Sequence, residues 1–72
     1  MKLKLGRYKH YKGHFYEVLG IGKHSETLEE LVFYKALYKN PDGIFWVRPL
    51  KMFKEKVLVD GKNVARFKFI KK

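Results

Sequence analysis

The 72-residue chain carries 17 Lys and Arg against seven Asp and Glu, a formal net charge of +10. It has no cysteine, so neither disulfides nor thiolate–zinc ligation can reinforce a core close to the lower size limit for unaided folding. Six Phe, five Tyr and one Trp within a 46% hydrophobic composition argue against a disordered chain. Each ring can remove about 150–250 Å² from water, which compensates for the short length.

In chain order, Met1-Lys2-Leu3-Lys4-Leu5 lacks the apolar core of about 7–15 residues that a signal peptide needs. No apolar run approaches the roughly 20 residues of a membrane span, so a cytoplasmic protein without membrane contact is the expectation. Arg7 to Tyr11 is aromatic and basic, punctuated by Lys12-Gly13. His14 to Gly22 alternates, with Phe15, Glu17, Leu19 and Ile21 on one side and Tyr16, Val18 and Gly20 on the other, the pattern of a strand. Gly20 and Gly22 in its second half mark a bulge or a tight corner. Thr27-Leu28-Glu29-Glu30 fits a helical capping box, but Leu31 to Tyr38 alternates. Residues 24–30 are therefore expected to form a polar loop or single turn, followed by a strand at 31–39. In that strand Val32, Tyr34, Ala36 and Tyr38 share one face.

Asn40-Pro41-Asp42-Gly43 predicts a turn joining residues 31–39 to 44–48 as a hairpin, and Pro49 ends the second strand for want of a backbone donor. Leu50 to Phe53 is expected to form a short helical turn that folds Met52 and Phe53 into the core. A last hairpin runs from Lys56-Val57-Leu58-Val59 through Asp60-Gly61, suited to a type I′ turn, into Asn63 to Ile70. The whole chain, 1–72, is expected to be one mainly β domain. Its expected form is a small SH3-like or OB-like, partly open barrel of five or six short antiparallel strands with one helical turn.

Several separated motifs resemble one family. These are Gly6-Arg7-Tyr8-Lys9-His10-Tyr11-Lys12-Gly13, Tyr16-Glu17-Val18-Leu19-Gly20, His24-Ser25-Glu26-Thr27, Val32 to Tyr38, Trp46-Val47-Arg48-Pro49 and Met52-Phe53. Together with the terminal hairpin around Val59-Asp60-Gly61, they resemble a small bacterial and phage family described as a domain of unknown function. The likeness runs over nearly the whole chain and implies a compact β-rich domain, with no activity to carry over.

The residues themselves nominate binding groups. His24, Ser25, Glu26 and Thr27 occupy a loop between strands, where they either serve a ligand or cap their own backbone. Arg48, between Trp46 and Pro49 in an apolar segment, can fork onto phosphate or carboxylate, stack on a ring, or pair internally with Glu26 or Glu29. Tyr8, His10, Tyr11 and Lys12 interleave rings with cations as single-strand binders do, and as half-buried strands also do. His10, His14 and His24 are not spaced on one element as a metal triad would be, and no nucleophile–base arrangement or phosphate loop is present. The expectation is a non-enzymatic module, without cofactor, for an anionic ligand. Nucleic acid is favoured by the charge. The alternative is a nucleotide-like or other small anion in a pocket at His24, Ser25, Thr27, Trp46 and Arg48. A protein-interaction or assembly module, such as a homodimer, is the third possibility. Most of the charge is Lys, broken only by Arg7, Arg48 and Arg66, and Lys also serves plain solubility.

Overall fold

The computed structural model describes residues 3–72; the first two residues of the Met-Lys-Leu-Lys-Leu start lie outside it. Seven strands and one helical turn follow in order: β1 (Gly6–His10), β2 (Phe15–Lys23), β3 (Glu30–Ala36), β4 (Phe45–Pro49), α1 (Leu50–Phe53), β5 (Lys56–Val59), β6 (Lys62–Ala65) and β7 (Phe67–Lys71). β4-β3-β2-β1-β7 form one antiparallel sheet, and β5–β6 a separate hairpin. Among the described residues no helix is long and apolar enough to cross a membrane.

Local chemistry sets the turns. In the β3–β4 connection the Asn40 side-chain Oδ1 accepts from the Asp42 N–H at 2.9 Å, and the Gly43 N–H donates to the Asn40 carbonyl at 3.2 Å. In the β5–β6 turn Asp60 and Gly61 both have positive φ, 49° and 78°, as a type I′ turn requires. Residues 24–29 form a turn, not a helix: the Leu28 N–H donates to the His24 carbonyl at 2.9 Å, and Leu28 itself sits at φ 63°.

Alternation then sorts the side chains between two faces. Tyr8, Val18, Val32, Tyr34, Ala36 and Phe67 point inward and are buried, while Phe33 and Lys35 point outward. β2 departs from the expected pattern. Leu19 is extruded between Val18 and Gly20, which face Tyr34 and Phe33, so that Ile21 comes opposite inward-facing Val32. The extra residue breaks the period of two, and the expected common face for Leu19 and Ile21 is lost.

Two further expectations are corrected. Phe53 is buried, but Met52 is exposed, because only positions three apart in a single helical turn share a side and Leu50 and Phe53 take the inner one. The final hairpin does not run through Ile70. β6 stops at Ala65, and Arg66 makes the transfer: its N–H donates to the Glu55 carbonyl, and its carbonyl accepts from the Tyr11 N–H. β7 thereby leaves β5–β6 and pairs with β1.

Among the described residues seven strands replace the expected five or six, and they form an open sheet and a hairpin with no closed barrel. β4 and β7 are the free edges of the five-stranded sheet. Side chains bridge the opening instead: Phe67 lies 5.5 Å from Tyr34 of β3 and 5.7 Å from the Arg48 guanidinium of β4. Phe53 lies parallel to Phe67 at 4.1 Å. Pro49 leaves β4 without its last donor and sends the chain into α1, whose Leu50 and Phe53 are buried.

At the start of β1, Gly6 packs against the end of β7 at φ 133°, and a Cβ there would come within 2.5 Å of the Lys71 carbonyl oxygen. Phe53→Ala is expected to cost about 3–5 kcal/mol through lost transfer energy and an unfilled cavity. Met52→Ala should stay within about 0.5 kcal/mol. Urea denaturation of both variants measures this, and similar losses for the two would contradict the placement of α1.

Candidate functional site

The inner face of β4 presents Trp46 opposite Tyr34 and Arg48 opposite Val32. Arg48 Nε donates to the Tyr34 hydroxyl at 3.3 Å while the guanidinium stands over the Phe67 ring. Neither Glu26 nor Glu29 pairs with it, and Arg48 forms no ion pair among the described residues. The alternative of an internal ion pair is thereby removed. The β4–β7 gap is spanned by rings, and both Nη groups are left without a protein acceptor among the described residues.

A phenolic chain extends from this point. The Tyr16 and Tyr38 hydroxyls lie 2.8 Å apart, and Asn40 Nδ2 donates to Tyr38 at 2.9 Å. The Asp42 N–H on Asn40 Oδ1 decides which end of that amide faces the tyrosine. His14 stacks on Tyr38 with ring centres 4.1 Å apart. Tyr16 is edge-on to Tyr34 at 5.4 Å. Burial, then the Tyr38 hydroxyl, pushes the Tyr16 phenol well above its ordinary value, so it stays protonated.

His10, at the end of β1, packs edge-on against Phe67 at 4.9 Å and lies 6.2 Å from Tyr16. Its Nδ1 accepts from the Lys12 N–H at 3.1 Å, which leaves the proton of the neutral ring on Nε2. Burial lowers its proton affinity first, and Arg48, Lys12, Arg66 and His14 add to the effect in that order. Arg66 is held by Glu55 at 3.2 Å, yet its buried Nε has no partner among the described residues. A groove of about 590 Å³ between β1 and the β5–β6 hairpin, lined by Lys9, His10, Tyr11, Val59 and Val64 among others, opens beside the imidazole.

The residues nominated from sequence do not all meet. Trp46 and Arg48 share the inner face, although the Trp46 indole N–H is occupied by the Gly43 carbonyl at 3.2 Å. His10 is brought to the same cluster through Phe67. His24, Ser25, Glu26 and Thr27 form an exposed turn that caps itself: His24 Nδ1 accepts from the Glu26 and Thr27 N–H groups, Thr27 Oγ1 accepts from the Glu29 N–H, and Ser25 Oγ lies 3.5 Å from Glu26. These partners are all within the loop, and among the described residues no hydrogen bond, ion pair or ring contact joins it to Trp46 or Arg48. Tyr8, nominated as a surface platform, is only 4% exposed because β1 turns it into the core, where its hydroxyl donates to the Lys4 carbonyl at 2.6 Å. Tyr11 and Lys12 do lie at the surface beside His10, with Lys12 Nζ 5.9 Å from the Tyr11 ring.

Tyr16, Tyr34, Tyr38, His14 and Phe67 belong to the cluster but were not nominated. Alternation assigns Tyr16 and Tyr34 to faces of their own strands. Only the strand order places those faces together.

The family model described as "Protein of unknown function (DUF1653)" matches residues 6–69. The chain belongs to the DUF1653 family. A crystal structure of a DUF1653 protein from Bordetella bronchiseptica is 32% identical and has a TM-score of 0.89, covering 94% of this chain and 87% of that one. No curated protein matches the sequence. The DUF1653 match spans His10, Tyr16, Tyr34, Arg48 and Phe67, so the cluster lies within the family's shared domain.

His10 makes a pH prediction. Its folded proton affinity lies below the ordinary value of 6.5, so between the folded value and 6.5 the unfolded chain binds a proton that the folded chain does not. Stability should fall as pH drops through that window and be unaffected by His10 above it. An NMR titration of the imidazole should show a midpoint below 6.5, moving upward in Arg48→Gln as a neighbouring cation is removed. A midpoint at or above 6.5 would contradict the site's electrostatics.

Proposed function

We propose that the domain is a non-enzymatic binding module for an anionic, nucleotide-like ligand whose phosphate sits on Arg48. One observation carries the reading: Arg48 stands over Phe67 without a carboxylate, its Nε tied to Tyr34 and its Nη groups uncommitted. A guanidinium backed by a ring and anchored at one nitrogen has lost most of its rotamer freedom, so a two-pronged contact with phosphate costs it little further ordering. The Nε2–H of neutral His10 supplies a second donor nearby. Arg66 and Lys12 contribute positive potential with Glu55 as the only carboxylate paired among them. Tyr16 and Tyr38, with His14 stacked on Tyr38, add rings and hydroxyls to the neighbourhood of Arg48, groups that suit a sugar or a base. Nucleic acid is a second reading, favoured by the opposite face of the sheet.

A thermal-shift screen with inorganic phosphate, AMP and ADP tests the proposal. At 100 times its Kd, a ligand adds about 2.7 kcal/mol, which in a domain of this size raises Tm by about 11–22 °C. Arg48→Lys should weaken binding at least about tenfold, because an ammonium cannot reproduce the fork. Lys51→Gln, a control that removes one charge elsewhere, should not. A flat response to all three probes, or equal binding by Arg48→Lys, would sink the assignment.

A further inference from the structure

We infer that the outer face of the five-stranded sheet is a docking surface for single-stranded nucleic acid. This face lies opposite the Arg48 cluster and the inference does not rest on that reading. The register lays out two rows across it. One runs Phe45, Lys35, Glu17, Arg7, Lys71 from β4 to β7, and the next runs Phe15, Lys9, Lys68 from β2 to β7. Rings therefore gather on the β4–β3–β2 side and cations on the β1–β7 side.

The cations are placed at a cost. Arg7 faces Lys71 and Lys9 faces Lys68 across the β1–β7 ladder, and like charges directly opposite destabilise a sheet. Glu17 is the one carboxylate in these rows, and it already lies between Arg7 and Lys35. Lys9 Nζ also lies 5.8 Å from the Phe15 ring, so cation and ring present a joint surface. A polyanion laid along β1 and β7 would relieve both cation pairs at once.

The rings point to the partner's class. Phe33 and Phe45 are 42% and 60% exposed, stacked on each other at 5.7 Å and 17°, with Val47 beside Phe33 on the edge strand. A cross-strand ring pair stabilises its sheet, which accounts for their mutual contact but leaves their outer planes in water. Exposed ring planes beside a cationic strip match unpaired bases, which stack on any aromatic face while the backbone runs over Lys and Arg. A duplex offers phosphates without free base faces, so the aromatic half of this surface would go unused. A groove of about 630 Å³ lined by Lys4, Leu5, Glu17, Leu19 and Lys72 continues the surface past the β2 bulge.

Fluorescence anisotropy with labelled oligo-dT and oligo-U of about 12 nucleotides, and a duplex of equal length, tests this at two salt concentrations. The single strands should bind, and the duplex more weakly. Phe33→Ala and Phe45→Ala, both at exposed positions, should each lose about tenfold or more in affinity. Lys9→Gln and Lys68→Gln should each lower the log–log salt slope by about 0.7, while Lys62→Gln on the β5–β6 hairpin should leave it unchanged. Circular dichroism confirms that the variants fold. Any one of three results overturns the inference: no binding at about 20 mM salt, affinity indifferent to both phenylalanines, or equal duplex binding. Sedimentation showing a dimer that Phe45→Ala dissolves would also overturn it, since a second copy would then occupy the face.

Discussion

Two phenyl rings, from Phe53 after β4 and Phe67 at the start of β7, lie parallel 4.1 Å apart, and the sheet curls around them. Tyr8 meets Phe53 edge-on at 5.5 Å and Tyr34 meets it at 5.4 Å, the arrangement that ring quadrupoles favour. A chain of this length without cysteine has little else to supply a core. The stack also does what backbone pairing does in a closed barrel, because it ties the β7 edge to the β3–β4 side while both edges keep their free groups. Arg48 reaches Phe67 for that reason, and His10 joins the same cluster because β7 pairs with β1.

The curl gives the sheet two unlike faces. Inside, rings pack edge to face around a neutral imidazole, a phenol held protonated and a guanidinium with no carboxylate of its own. Outside, rings are exposed and cations face each other across a ladder. The charge of +10 is thus not merely diffuse. Part of it is concentrated around His10, where it depresses the imidazole's proton affinity, and part is aligned along β1 and β7, where it opposes pairing. Each arrangement is electrostatically unfavourable without an anion, and each is held by packing that the core provides.

Much of the local structure was legible from residue patterns. The inward set Val32, Tyr34 and Ala36 follows from period-two alternation, and the Asn-Pro-Asp-Gly and Asp-Gly turns follow from side-chain chemistry and tolerance of positive φ. Glycine correctly flagged an irregularity in β2. Its consequence, the transfer of Ile21 to the inner face, depended on which residue was extruded. The self-capping of His24 to Thr27 was one of two readings open to that loop. Met52 and Phe53 could not be told apart until the direction of the single helical turn was known.

Taken alone, the sequence determined a mainly β domain, the position of its turns, the alternation within β3 and an aromatic core in place of cross-links. These are local properties, set by dihedral preferences and by the two faces of a strand. Only the tertiary structure decided that β7 leaves the last hairpin to pair with β1, that Arg48 lies on Phe67 rather than on Glu26 or Glu29, and that Tyr8 is core while Phe33 and Phe45 are surface. Alternation divides each strand's residues into two sets without saying which strand lies beside it. Strand order joined the two ends of the chain through β1 and β7, and with them the residues of both candidate surfaces.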